Sequence, residues 1–351
     1  MIRYIKVNNF RQFKSLNLET NSQIVVLSGD NTKGKSTILE ALHIITTGNS
    51  PWNDFSDIKH NSEDLDSILD TGFRIEIENY ENIKSIYRDG NKRVLKIDNT
   101  TTNSRKFFHN QYCILFSPEL IEILMISPSK RREFVDNTIS HFNLEYSNDI
   151  SKYNKVLKHR NAYIKRLSKI LYNTGTIPQQ TQELEIWTKQ LIEIGLRINR
   201  VREQFFKDIS NDEINLKYIT SIDNENSFNE QMEKSYNKDI ALGYTNVGVH
   251  RDDWEINTQK NIKRYGSRGE KRLAIISMLF SINEYIKLKY NIIPLILLDD
   301  VPSELDNRNT EIILDRIIKL NQQIFLTTIK KEYLPQNIID NAITIDLNTI
   351  N

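Results

Sequence analysis

Gly29, Asp30, Asn31, Thr32, Lys33, Gly34, Lys35 and Ser36 follow an apolar run, IVVLS, and precede an amphipathic stretch, TILEALHIIT. Their order is G-x-x-x-x-G-K-[ST]. Glycines let the backbone curl so that its N–H groups point inward at phosphate oxygens. A lysine at position 35 would reach the β and γ phosphates, and a hydroxyl at position 36 would ligate Mg²⁺. Such a loop needs an acid to complete the metal site, and PLILLDDVPSELD supplies one. The apolar residues Leu295 to Leu298 carry a strand through a core and stop at Asp299. Charges at the C-terminal end of a buried strand lie where open α/β sheets bind ligands. Asp299 is therefore assigned to Mg²⁺, through water, and Asp300 to orienting the attacking water.

The elements that must position these groups are legible in outline. IRYIKVNNF, IVVLSG, FRIEIENY and KSIYRD read as short strands within residues 1–100, and Asp89-Gly90-Asn91 reads as a hairpin turn. Ser117-Pro118 and Ser127-Pro128 read as helix starts. In the helical segment 152–171, at about 100° per residue, Lys155, Lys158, Lys165, Arg166 and Lys169 share one wedge roughly 100° wide. Tyr153, Val156, Leu157, Tyr163, Ile164, Leu167, Ile170 and Leu171 fall opposite. After a break at Gly175 and Pro178, Trp187, Leu191, Ile194, Ile198 and Val201 form a second apolar stripe. Two such helices joined by a short turn suggest an antiparallel pair. The polar stretch 221–240 reads as a surface connection. VGVHRDDWEI returns to β-type sequence, GEKRLAIISMLFSINEYIKLK reads as a helix, and IIPLILLDD, QQIFLTT and AITIDL read as strands. No internal repeat or low-complexity tract is present.

With YGSRGEKR at 265–272 before the acidic strand and SELD at 303–306 after it, the chain resembles the ABC-type ATPases of the SMC and double-strand-break-repair group. Within that group it resembles the RecF family. VNNFRQF, LFSPELIEIL…SPSKRREFVD, YNKVLKHRNAYIK, IWTKQLIEIGLRI, VGVHRDD, YGSRGEKR and LLDDVPSELD occur in the family's order over nearly the whole length. The resemblance implies an α/β fold: an ABC-type P-loop ATPase lobe, like an SMC or Rad50 head, with a mainly helical second lobe and no long coiled coil. The expected division is 1–115 and 245–351 for the ATPase lobe and 116–244 for the helical lobe. It also implies that Ser267, Arg268, Gly269 and Glu270 form a signature that reads the γ-phosphate held by a second copy. Asp306 is then the D-loop acid at the dimer seam, and Arg11 and Thr37 join the nucleotide-binding set. The implied cofactors are ATP and Mg²⁺.

The implied activity is a weak, DNA-stimulated ATPase that works as a switch. ATP would drive homodimerisation on DNA near single-strand gaps and single-strand/double-strand junctions, in recombinational repair, replication restart and SOS induction, with RecR and RecO as partners. Several positions depart from the wider group. Gly266 and Arg268 replace two positions of the transporter signature, and Asp300 stands where most relatives have glutamate. No histidine follows IFLTT, leaving Thr327 or Thr328 as weak substitutes, and Val249 stands where the family usually has proline.

His250, Arg251, Asp252 and Asp253 form a salt-bridge cluster more readily than a metal site, because a fixed cation among ligands repels a metal. Gln111 has the spacing of a metal-sensing glutamine but equally that of a polar residue flanking a strand. The lysine wedge, and a second patch at Lys130, Arg131 and Arg132, are candidates for DNA; the competing reading is a solvated helix face. Neither carries interleaved aromatics, so binding should be phosphate-led, sequence-independent and salt-sensitive. A transporter ATPase would need a switch histidine, a small-molecule kinase would need no signature, and another short SMC-like repair ATPase would need longer heptad arms.

The totals set the remaining bounds. The chain has 351 residues, 38% of them apolar, enough for two lobes with cores. Charged residues are 26% and nearly balanced at a net +1, so any basic surface must be local. The single cysteine, Cys113, lies in the apolar run YCILF and reads as a core thiol. No segment approaches membrane-spanning length and the first residues alternate like a strand, so a soluble cytoplasmic protein is expected.

Overall fold

The computed structural model describes residues 1–52, 72–90, 92–119, 128–220, 222, 224–258, 260–300 and 307–350, with backbone alone for 307–309. The chain divides into two compact units, Met1–Leu120 with Ile282–Asn351, and Ile121–Ser281. The second unit therefore extends to 281, beyond the expected boundary at 244.

In the first unit, strands alternating apolar and polar residues build an antiparallel sheet. It comprises β1 (Ile2–Phe10), β2 (Phe13–Glu19), β4 (Phe73–Asn79), β5 (Ile83–Asp89), β6 (Lys92–Ile97) and β7 (Thr100–Thr102), in the order β2-β1-β4-β5-β6-β7. Ile5 and Val7 of β1 are buried and flank Leu18 and Leu16 on one side and Ile77 and Ile75 on the other. The expected hairpin pairs Asp89 with Lys92.

Mainly apolar runs build a second, all-parallel sheet of β3 (Ile24–Ser28), β8 (Cys113–Phe116), β11 (Leu295–Leu298) and β12 (Ile324–Thr328), with the more polar β13 (Ala342–Asp346) at its edge. Its order is β13-β3-β12-β11-β8. All residues of β3, β8, β11 and β12 are buried, as strands covered on both faces require. Helix α1 (Lys35–Thr47) buries Ile38, Leu39, Ala41, Leu42, Ile44 and Ile45 in the same core. Cys113 is a buried core thiol whose pKa burial pushes up to about 12.

The second unit is mainly helical. Helix Leu144–Thr174 is 31 residues long and helix Gln182–Ile209 is 28. Gly195 admits Tyr153 and Phe228, and Leu184 joins Ile164, Leu167 and Ile240 in one cluster. Contacts at 153 with 195 and 167 with 184 mean that the two helices run antiparallel, as the facing stripes suggest. Ile170, placed on the apolar face by the wheel, lies at its margin and is exposed.

The stretch 221–240 differs from expectation. It contains helix Glu225–Leu242, opened by a capping box between Asn224 and Ser227. This helix buries Phe228, Met232, Ser235, Asp239 and Ile240. β9 (Asn215–Ile219) and β10 (Asp253–Asn257) form a two-stranded ribbon. No helix among the described residues is long and apolar enough to cross a membrane.

Candidate ATP-binding site

β3 delivers the phosphate-binding loop to the C-terminal edge of the parallel sheet, and α1 starts at Lys35. Gly34 adopts φ 90°, and a Cβ there would lie 2.3 Å from the Phe13 ring, so both conformation and packing demand glycine. The Asn348 side chain accepts from the Asp30 N–H at 3.2 Å. Gln12 donates to the Thr32 carbonyl at 2.6 Å and accepts from the Thr37 hydroxyl at 3.3 Å. The β1–β2 turn and the C-terminal residues thus brace the loop from two sides. Asn31 and Lys33 complete it, with the Lys33 N–H donating to the Asp30 carbonyl.

The Lys35 ammonium is buried and donates to the carbonyls of Gly29 and Asp30 at 2.7 and 2.9 Å. The Ser36 hydroxyl donates to Asp299 Oδ1 at 3.0 Å. β12 lies between β3 and β11, and its last turn adds a residue the sequence reading gave another role. Thr327 is fully buried, donates to Asp299 Oδ1 at 2.7 Å, and accepts from the Asp300 N–H at 2.9 Å. One hydroxyl therefore holds the Asp299 carboxylate and the backbone of Asp300. Thr328 donates to the Lys330 carbonyl. Neither threonine presents its side chain as a switch histidine does.

Burial raises the pKa of Asp299 above the usual carboxylate value, against the hydrogen bonds from Thr327 and Ser36. Two hard oxygen donors and a cation at the mouth of a backbone cradle fit Mg²⁺ and a polyphosphate.

Arg11 meets another partner than the one assigned to it, and of the two readings of Gln111 the structure favours the polar residue flanking a strand. Arg11 turns its guanidinium onto buried Glu40 of α1, at 2.9 and 2.8 Å, and it is its neighbour Gln12 that reaches the loop. Gln111 precedes β8 at the opposite, N-terminal edge of the sheet. There it donates to the Ile45 and Phe107 carbonyls and accepts from Lys84.

The signature forms the start of helix Arg268–Tyr290. Ser267 Oγ accepts from the Glu270 N–H at 3.3 Å, and Glu270 accepts from the Ser267 N–H at 2.7 Å, the reciprocal pattern of a capping box. Lys260 and these Ser267 bonds lower the Glu270 carboxyl to about 2. Ser267, Arg268 and Gly269 are exposed. Asp306 lies outside the described residues.

Of the DNA candidates, Lys155, Lys158, Lys165, Arg166 and Lys169 are exposed. Arg131 is not. It is buried, with Nε and Nη2 on the two oxygens of Asp253 at 2.5 and 2.6 Å. Arg132 is half-buried and donates to the Asp252 carbonyl at 2.6 Å. Lys130 is exposed and pairs with Glu133 at 3.0 Å, whereas Arg131 and Arg132 belong to the interior salt-bridge cluster, which Arg202, 3.5 Å from Asp252, and Tyr218 complete. Sequence alone marked these residues as basic; their partners lie more than a hundred residues away.

Residues 1–349 match the family model of the RecF/RecN/SMC N-terminal domain. The DNA replication and repair protein RecF of Leptospira interrogans (serogroup Icterohaemorrhagiae, serovar copenhageni) is 31% identical over 356 residues, covering 93% of this chain and 91% of that protein. The RecF of Clostridium kluyveri is 30% identical over 359 residues, covering 97% and 96%. Among solved structures, the recombination mediator protein RecF with ATP in the RecFOR pathway superposes with a TM-score of 0.80 at 26% identity, covering 95% of this chain and 93% of that one. An SMC head bound to the C-terminal winged-helix domain of ScpA gives 0.50 at 15% identity, covering 98% and 93%, a likeness of fold. Family model, relatives and fold agree: the chain belongs to the RecF family of the RecF/RecN/SMC group and carries its ABC-type ATPase lobe.

Proposed function

We propose that this chain is an ATP-driven switch that assembles on DNA, serving recombinational repair, replication restart and SOS induction in the cytoplasm. The observation that carries the reading is the convergence of Lys35, Ser36, Asp299 and Asp300 at one sheet edge, with Thr327 bonded to the Asp299 carboxylate and to the Asp300 N–H. The likeness to an ATP-bound RecF supports ATP as the ligand.

In this reading the N–H groups from Gly29 to Thr37 and the Lys35 ammonium bind the phosphates. Ser36 and Asp299 would hold Mg²⁺, which would supply charge neutralisation to the phosphates. Asp300 orients the water that attacks the γ-phosphorus, so that the bond to the β-phosphate oxygen breaks. The shorter reach of an aspartate in that role accords with slow, DNA-stimulated turnover.

Ser267 and the helix N-terminus at Arg268–Gly269–Glu270 suit the γ-phosphate held by a second copy, with Asp306 at that seam. ATP binding thereby becomes dimerisation, and hydrolysis reverses it. The exposed lysines of helix Leu144–Thr174 would meet phosphates of DNA at gaps or single-strand/double-strand junctions. RecR and RecO are the partners this family likeness suggests.

Lys35→Ala tests the reading. Light scattering should detect dimers of the natural chain with ATP and none of the variant. A variant that dimerises normally with ATP would refute the shared-nucleotide model. Asp300→Asn should keep the dimer and slow turnover.

A further inference from the structure

Between Asp149 and Glu183 the chain contains no acidic residue. Within that stretch Lys155, Lys158, Lys165, Arg166 and Lys169 are exposed, and none makes an ion pair or hydrogen bond among the described residues. A row of unneutralised cations repels itself unless a polyanion lies along it. Tyr172 ends the row. It follows Lys158 and Lys165 at steps of seven residues, which returns it to the same face about 10 Å further along the axis each time.

Tyr172 as a residue is 91% exposed, the most of any large hydrophobic residue among the described residues. Tyrosine ordinarily buries much of its ring and contributes strongly to cores and interfaces. Here the helix end is not loose. Ile164, Leu167 and Leu171 pack with Leu184 and Ile240 on the opposite face. The Thr181 hydroxyl donates to Tyr163 at 2.8 Å, Tyr236 donates to the Pro178 carbonyl at 2.7 Å, and the Gly175 N–H closes the helix on the Leu171 carbonyl. The structure thus holds an unused aromatic face at a fixed place at the end of a phosphate-sized cationic track.

We propose that Tyr172 is a stacking site for an unpaired base, entered by a strand whose phosphates follow Lys158, Lys165 and Lys169. The inference rests on the DNA reading of the lysine row and adds to it a preference for single-stranded nucleic acid. Unpaired bases offer a π-face that duplex DNA keeps inside its stack, and aromatic side chains bind that face irrespective of sequence. An anionic lipid surface would also attract lysines and a tyrosine. It needs a broad apolar helix face, and that face is already buried against Leu184 and Ile240.

The test uses the full chain and fluorescence anisotropy at fixed salt, with a blunt duplex and the same duplex carrying a single-stranded thymidine tail. Tyr172→Ala should weaken binding of the tailed duplex about 5- to 100-fold and change the blunt duplex less than about twofold. Tyr172→Phe should bind both as the natural chain does. Equal affinity of Tyr172→Ala for the tailed duplex, or equal loss on both duplexes, overturns the stacking site. So does loss of binding to phosphatidylserine vesicles with DNA binding intact. The charge reversal Lys158→Glu/Lys165→Glu separates the two layers. Unchanged binding of both duplexes by that variant overturns the DNA reading of the row itself, whatever Tyr172 does.

Discussion

His250 shows how one residue's setting fixes its protonation. A carbonyl can only accept, so the Thr245 carbonyl at 3.1 Å takes the Nε2 proton, and Nδ1 accepts from the Tyr153 hydroxyl at 2.8 Å. Burial, with Arg251, Arg132 and Arg160 nearby, lowers its pKa to about 4. The folded state therefore refuses a proton that the unfolded chain accepts near pH 6.5. Stability is complete above pH 6.5, falls as the pH drops towards 4, and levels below it. The loss is at most about 3 kcal/mol. Urea unfolding between pH 7.5 and 4.5 should show it, and His250→Gln should remove that part of the slope. A slope identical in the variant would contradict the assignment. Arg131 makes a second residue-scale case. Its guanidinium is buried on Asp253, so Arg131→Ala leaves a partly buried carboxylate without its main partner. The expected cost is about 3–5 kcal/mol in urea, not a selective loss of DNA affinity.

At the scale of elements, Ser267, whose S-x-x-E spacing to Glu270 is that of a capping box, has a duty besides the one the signature implies. It caps the helix beginning at Arg268, and removing the cap with alanine should cost about 0.5–2 kcal/mol. Aspartate caps helices as well as serine does. Ser267→Asp should therefore melt within about 0.5 kcal/mol of the natural chain. Because it sets an anion against a triphosphate, it should not dimerise with ATP. Normal ATP-dependent dimers of Ser267→Asp would remove that serine from the shared site. The elements that sequence revealed are those with unbroken patterns. β11 is a pure apolar run, β3 and β12 are apolar up to their last one or two residues, and α1 has a clear stripe behind a glycine loop. Helix Glu225–Leu242 was hidden because two of its inward positions are Ser235 and Asp239, and Asp239 is buried against Arg160, 79 residues away, and Asn246. Gln12 and Asn348 were illegible at the site for the same reason, as was the bond from Thr327 to Asp299. Each is an ordinary polar residue until the sheet order brings it to the loop.

At the scale of the whole molecule, charge balance and charge placement diverge. The chain is almost neutral, yet five exposed cations share one helix without counter-charges. Neutralising a phosphate with such a cation releases condensed counterions, so log K falls with log salt at a slope of about −0.9 per contact. Five contacts from one chain give a slope of about −4.5, and a dimer that lays both rows on DNA gives about −9. Affinity measured across a salt series thus reports how many chains bind. With ATP, the natural chain should show the steeper slope, and Lys35→Ala, held monomeric, about half of it. Lys158→Glu/Lys165→Glu should flatten the dimer's slope by about 3.6, since four contacts are lost. Linkage demands the converse: DNA that favours the paired state must tighten ATP binding by the same factor. Equal slopes for the natural chain and Lys35→Ala in the presence of ATP would mean that DNA meets one chain at a time, and that nucleotide and DNA are not coupled through assembly.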